Sequence, residues 1–330
     1  MKKKALITGI NGQDGSYLAE FLLKKGYEVY GILRRSSVSE NQTARLSNIY
    51  DKIVDNLFYA DITDFSSLLR VINKVKPDEI YNLAAQSHVR ISFDEPLYTT
   101  ETIVQGTLNL LEIIKLEHPT IKLYQASSSE MFGNNIDADG YQRETTPMGP
   151  VSPYGCAKLF GYNIIRNYRH SYGIFACNGI LFNHESERRG SNFVTSKVVK
   201  EAVRIKLGLS NQLSLGNLDS SRDWGYAGDY VEAMWMMMQN GNPEDFVCAT
   251  GISHTVRDLV RYVFERLDLD YKDYILTDER FCRPEELDVL KGDSTKLRET
   301  LGWKPNHTFE QMLDKMITHW TKKIGENNGI

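Results

Sequence analysis

One turn constrains this chain more than any other stretch. KALIT (4–8) is a short apolar run that leads into TGINGQDG (8–15), after which Tyr17, Leu18, Phe21 and Leu22 recur at helical spacing over 14–25. Gly9, Gly12 and Gly15 are spaced GxxGxxG between a predicted strand and a predicted helix. Small residues there allow a tight turn and let a pyrophosphate approach bare backbone N–H groups at a helix N-terminus. The competing explanation is a purely structural glycine turn. The strand–turn–helix setting favours a dinucleotide, and it makes Asn11, Gln13 and Asp14 candidate cofactor residues with the three glycines.

The same alternation continues downstream. EVYGIL (28–33), FYADI (58–62), EIYNLAA (79–85) and KLYQASS (122–128) read as strands, and the stretches through Leu68, Leu69 and Ile72 and over 101–117 read as helices. Strands separated by helices imply a parallel sheet with crossover connections. The expected fold class is α/β: a Rossmann-type doubly wound parallel sheet over 1–180, with a smaller C-terminal α/β substrate-binding lobe over 181–330, partly interleaved with it. In the second half, LFNHESERRGSNF is polar and turn-rich and reads as a loop. Helices are expected over 194–207, 228–239, 255–267 and 309–323, strands over 213–217 and 246–250, and a turn at GWKP (302–305). The run WMMMQ (235–239) reads as helix core.

Composition narrows the function classes. The 330 residues are 41% apolar and 25% charged with a formal charge of -4, a profile of a globular protein that gives no cause to expect a nucleic-acid partner. The apolar stretch after MKKK is too short for a signal peptide, and no run approaches the ~18 apolar residues of a membrane span. Four scattered cysteines without a CxxC, and histidines without ligand spacing, argue for a reducing cytoplasm and against a metal site.

The end of the second strand bears on which dinucleotide is bound. GILRRSS places Arg34, Arg35, Ser36 and Ser37 where an NAD enzyme usually has an acidic residue for the ribose. Guanidinium groups pair with a 2′-phosphate, so the expected cofactor is NADP; a solvated basic turn is the alternative. Asp61, with Ile62 beside it, is placed to meet adenine. NLAAQSH (82–88), including Leu83, Ala84, Ala85, Gln86 and Ser87, is a small-residue strand end that either passes under the nicotinamide ribose or is simply a tightly packed terminus. The candidate cofactor set also takes in Tyr98.

The chemistry is expected at two further places. SPYGCAK (152–158) carries Tyr154 and Lys158 four residues apart, on one face of a helix. An ammonium beside the phenol is expected to lower the tyrosine pKa, so that Tyr154 takes a hydroxyl proton as hydride leaves the same carbon, while Ser128 or Ser129 hydrogen-bonds the reacting oxygen. QASSSEMFG (125–133) adds Glu130, a carboxylate that simple alcohol oxidation does not require.

These blocks, together with YNLAAQSHV, NHESERRG, FVTSK, SRDWGYAGDYVEAMW and FCRPEELDVLKGD, resemble the extended short-chain dehydrogenase/reductases, and within them the GDP-mannose 4,6-dehydratase family, in the same order to about residue 305. The resemblance implies a catalytic set of Ser128, Glu130, Tyr154 and Lys158, with serine where the family has threonine. It implies cofactor contacts from Lys158, His184 and Arg189, and substrate contacts from Ser87, Ser128, Glu130, Tyr154, Asn183, Lys197, Arg222, Arg283 and Glu286. The reaction it implies converts GDP-mannose to GDP-4-keto-6-deoxymannose through NADP and loss of water, in a homodimer or homotetramer. The alternatives are a 4,6-dehydratase of another GDP-manno sugar such as a GDP-manno-heptose, a GDP-4-keto-6-deoxy-sugar reductase, and a catalytically dead NADP-binding protein.

Overall fold

The computed structural model describes residues 2–36, 42–278 and 285–328. Ser37 and Arg283 lie outside the described residues.

Six parallel strands come from the first 181 residues: β1 (Lys4–Thr8), β2 (Glu28–Leu33), β3 (Leu57–Tyr59), β4 (Glu79–Asn82), β5 (Lys122–Ser128) and β6 (Ala176–Leu181). After β7 (Asn183–Glu185), β8 (Leu213–Leu215) and β9 (Ser221–Tyr226), the chain returns to the main sheet with β10 (Asp245–Cys248). The seven-stranded order is β10-β6-β5-β4-β1-β2-β3, parallel throughout, which makes this a Rossmann-type doubly wound fold. The strands β11 (Ser253–Thr255), β12 (Ile275–Thr277) and β13 (Val289–Leu290) complete two small sheets: β11-β9-β13 with β7 paired to β9, and β12-β8.

Helices cover both faces of the main sheet because each presents an apolar stripe to it. On one face lies α1 (Gln13–Lys24), with the short α2 (Tyr50–Ile53) beside it. On the other lie α3 (Phe65–Val75), α4 (Val89–Asp94), and a continuous run made of α5 (Pro96–Thr100), a π-turn (Glu101–Gln105) and α6 (Gly106–Glu117), followed by α7 (Pro153–Tyr172). The second face is sealed by Leu68, Ile72, Leu110, Ile114 and Ile165. The lobe contributes α8 (Val194–Lys206), α9 (Ala227–Gln239), α10 (Val256–Glu265), α11 (Thr295–Leu301) and α12 (Phe309–Asn328). Of these, α9 packs on α1 beneath the sheet, burying Met234, Met237 and Met238 completely, so the methionine run is core. The lobe has its own core of Val199, Trp224, Leu259, Phe264, Leu313 and Met316.

The structure corrects three element readings. EIYNLAA leaves the sheet after Asn82, because the Leu83 and Ala84 N–H groups turn to donate to Thr8 Oγ1, each at 3.1 Å, instead of to a neighbouring strand. FYADI likewise ends as a strand at Tyr59. The stretch read as a loop, LFNHESERRGSNF, contains strand β7, whose partner residues on β9 lie 41 positions on and leave no local apolar alternation to announce it.

Candidate functional site

The carboxyl ends of β1, β2, β4, β5 and β6 open on one cleft of about 580 Å³, the place where doubly wound sheets bind ligands. Its floor is the glycine turn. Gly9 has a φ of 68°, and a Cβ added to Gly15 would lie 2.3 Å from Gly9 O, so the first turn of α1 tolerates no side chain there. Thr8 Oγ1 holds the turn to β4 by donating to Asn82 Oδ1 at 2.7 Å.

The cleft wall gathers most of the candidate residues. Gly9, Asn11, Gly12, Gln13, Asp14, Gly15, Leu83, Ala84, Ala85 and Ser87 line the dinucleotide end, with Asp61, Ile62, Arg34 and Tyr98 beyond them. The Arg34 guanidinium bonds the Tyr98 hydroxyl and lies 5.5 Å from its ring centroid. Asp61 Oδ1 accepts from Thr63 N and Oγ1, which fixes its carboxylate. Arg35, Ser36 and Gln86 are not brought into the wall: Arg35 folds back on the Ser36 carbonyl, and the Gln86 amide braces its own loop through His88 and Thr99.

Ser128, Glu130, Tyr154 and Lys158 meet at the centre, all buried. Ser128 ends β5, and its Oγ caps the short turn that follows by accepting from Glu130 N at 3.2 Å. Glu130 is 6% exposed. Tyr154 stands in the first turn of α7, where Ser152 caps the helix through Gly155 N at 3.0 Å and Pro153 fills the first helical position. A Cβ on Gly155 would fall 2.8 Å from Glu130 O, so the glycine lets the start of α7 press against the glutamate turn.

The electrostatics correct one expectation. Burial pushes Tyr154 up to about 12, with the Ser128 hydroxyl opposing. Burial brings Lys158 down to about 8, opposed by Asp14. Lys158 Nζ is 5.6 Å from the Tyr154 ring centroid and donates to Ala126 O at 2.7 Å. The net direction for the phenol is therefore upward rather than the expected downward one, because desolvation outweighs the opposing contributions.

The lobe closes the far side. Asn183, Lys197, Arg222 and Glu286 reach the same cleft. Lys197 Nζ donates to Ser214 O at 2.6 Å, and Arg222 Nη1 to Ser221 O and Leu287 O, each at 2.9 Å. His184 and Arg189 line the cleft between the two halves. Sequence reasoning missed Asn192 and Phe193 in this wall; His88 Nε2 lies 3.2 Å from Asn192 O, and the His88 and Phe193 rings are 5.2 Å apart. Their only signal was position just before a helix. Among the described residues no three His, Cys, Asp or Glu side chains group as metal ligands, and no helix is long and apolar enough to cross a membrane.

A family model described as GDP-mannose 4,6 dehydratase matches residues 6–316. The chain belongs to the GDP-mannose 4,6-dehydratase family. It is 53% identical to GDP-mannose 4,6 dehydratase 2 of Arabidopsis thaliana, over 96% of this chain and 86% of the relative. It is 49% identical to the human GDP-mannose 4,6 dehydratase, over 95% of this chain and 90% of the relative. Among solved structures, it is similar to a dTDP-glucose 4,6-dehydratase from Bacillus anthracis in complex with NAD (25% identity, TM-score 0.82, 98% of both chains). It is also similar to a Thermotoga maritima UDP-glucose 4-epimerase with UDP-glucose (26% identity, TM-score 0.83, 97% of this chain and 99% of that one).

Proposed function

We propose that this chain is a hydro-lyase that converts GDP-mannose to GDP-4-keto-6-deoxymannose with a resident NADP. The observation that carries the reading is Glu130: a buried carboxylate in the same cleft as the Ser128, Tyr154 and Lys158 side chains that hydride transfer needs. The glycine turn that admits no Cβ fits a pyrophosphate, and Arg34 at the end of β2 fits a 2′-phosphate, which supports NADP over NAD.

When bound, NADP supplies the acceptor that takes hydride from C4 of the sugar and returns it to C6. Tyr154 removes the C4 hydroxyl proton while Ser128 Oγ hydrogen-bonds the same oxygen. Lys158, a buried cation below about pH 8, favours the phenolate form of Tyr154 that accepts this proton. The C4 ketone acidifies the C5 proton. Glu130 takes that proton and delivers one to the C6 hydroxyl, which leaves as water. After hydride reaches C6, Glu130, reprotonated from water, returns a proton to C5, and Tyr154 releases the C4 hydroxyl proton to solvent, so the product is a ketone at C4 with one water lost and no net change in NADP. Asn183 and Lys197 hold the nucleotide sugar, and Arg222, Arg283 and Glu286 its diphosphate and ribose; the two arginines suit a bidentate grip. The assembly is proposed to be a homodimer or homotetramer in a reducing cytoplasm. Exposed Leu116 and Tyr172, at the ends of α6 and α7, support the first point, and the free Cys156, Cys177 and Cys248 the second.

Purified protein incubated with GDP-mannose and no added reductant should release one water per sugar, read by mass spectrometry and NMR, with no net absorbance change from NADPH. Turnover of a GDP-manno-heptose but not of GDP-mannose would overturn the substrate. The Glu130→Gln variant should lose dehydration by at least about a hundredfold while binding NADPH normally; full activity in that variant would remove Glu130 from the mechanism.

A further inference from the structure

The segment 184–188 is fastened side chain by side chain to the first turns of α1. His184 Nε2 lies 2.8 Å from Asp14 Oδ2, and Ser186 Oγ donates to Gln13 Oε1 at 2.8 Å. Tyr17 OH donates to Glu187 Oε1 at 2.5 Å, and Arg188 reaches Ser16 Oγ at 3.1 Å and Glu20 Oε1 at 2.6 Å. One element of this seam carries the dinucleotide turn and the other the strand that presents Asn183 to the sugar side of the cleft.

His184 stands at the centre of the seam. Its Nδ1 lies 2.7 Å from the Phe182 carbonyl oxygen and its Nε2 2.8 Å from the Asp14 carboxylate. Both partners only accept hydrogen bonds, so both ring nitrogens must donate, which only the imidazolium can do. The ring is buried and stacked 4.7 Å from Tyr230, an aromatic face that suits a cation. Asp14 Oδ1 takes a second hydrogen bond from Gln13 Nε2 at 3.0 Å. We propose that His184 is a positioning residue: as a buried imidazolium it pins Asp14, and through it the dinucleotide turn, to β7, so that cofactor and sugar are held in one register.

The charges facing this pair are consistent with the assignment. From α1 comes Asp14, from β7 Glu185, from the turn after it Arg189, from α9 Tyr230, and Asp14 is also felt by Lys158 and Tyr154 on α7 and Tyr124 on β5. Burial alone would lower the imidazole; the Asp14 carboxylate overrides it and the net direction is upward. Burial would raise Asp14, yet His184 holds it down to about 2. With a raised histidine, the pin is intact below the ordinary value near 6.5 and is lost as pH rises through the higher folded one. The scheme gives His184 no proton-transfer step; it acts through Asp14.

The inference rests on the reading that the turn holds NADP, and its test separates the two. In protein labelled with nitrogen-15 histidine, the resonance missing from a His184→Gln variant should report two protonated ring nitrogens near neutral pH, and Asp14→Asn should return that histidine toward a neutral tautomer. A neutral His184 in the wild type would overturn the proposal whatever the cofactor. His184→Gln keeps a donor to Asp14 without the charge. At an unchanged melting temperature, it should bind NADPH about tenfold more weakly in the absence of any sugar nucleotide. It should also lose the alkaline decline in affinity expected of the wild type. Unchanged NADPH affinity and pH profile in that variant would end the positioning role. A wild type that binds neither NADPH nor NADH would sink the cofactor reading while leaving the ring-nitrogen result to stand or fall separately.

Discussion

Burial sets the acid–base character of the central residues in opposite directions. It drives the Tyr154 phenol up to about 12 and the Lys158 ammonium down to about 8. Lys158 is therefore the group that titrates near working pH. Its charge is present below about 8 and lost above it, so kcat/KM for GDP-mannose should fall on an alkaline limb near that value. In Lys158→Met the limb should vanish along with most of the rate; a wild-type profile flat to pH well beyond 8 would contradict the assignment. Tyr154 and Lys158 were legible as candidates from their four-residue spacing, and Glu130 only through the family resemblance. Their energetics were not: no sequence pattern states that Lys158 Nζ turns to the Ala126 carbonyl, which is fixed by where β5 passes α7.

At the scale of elements, the site depends on how closely α7 approaches the turn after β5. Gly155 is the spacer: any side chain there meets Glu130 O at 2.8 Å and Ser152 Oγ at 3.2 Å. Gly155→Ala would add helix propensity of up to about 1 kcal/mol in an open helix, but here it must move α7 away from Glu130. The expected result is a fall in kcat of tenfold or more with NADPH affinity nearly unchanged, since the glycine turn is untouched; equal loss of both would mean a general folding defect. Most elements were readable from period and turn residues, including β1, β2, β5, α1, α8 and α9. Strand β7 was not, because it is held by pairing with β9 and by side-chain bonds to α1 rather than by its own pattern.

The whole molecule is held together by strands and carboxylates that cross between the halves. β10 joins β6 in the main sheet, and Asp223 on β9 ties the turns near Thr250 and Gly292 by accepting from Thr250 N at 2.9 Å, Thr250 Oγ1 at 2.6 Å, Gly251 N at 2.8 Å and Gly292 N at 3.4 Å. Burial nevertheless pushes this carboxyl up to about 6. An acid with a raised folded value is favoured when protonated, so stability should fall as pH rises from about 4 through about 6. Asp223→Asn should abolish that dependence. It should also cost about 2 kcal/mol by chemical denaturation, because an amide cannot accept at both of its ends. Asp229 plays a similar part at the tail, accepting from Asn306 N and His307 N at 2.9 Å each, while its carbonyl takes the Trp303 indole at 2.9 Å. Removing the carboxylate in Asp229→Ala should loosen α12 first, read as faster amide exchange there than in the main sheet.

By itself, the sequence determined the class of fold and the small-residue turn after β1, and it marked Tyr154 and Lys158 as candidate reacting side chains. Each of these is a local property: hydrophobic period, small residues at a strand–helix turn, and ionisable groups at fixed spacing. Only the tertiary structure decided that Arg34 rather than Arg35 faces the cleft, that Lys158 bonds a carbonyl rather than Tyr154, and that His184 is clasped by Asp14. Each of these depends on groups far apart in the chain and on burial, and desolvation acts only once the chain has closed around them.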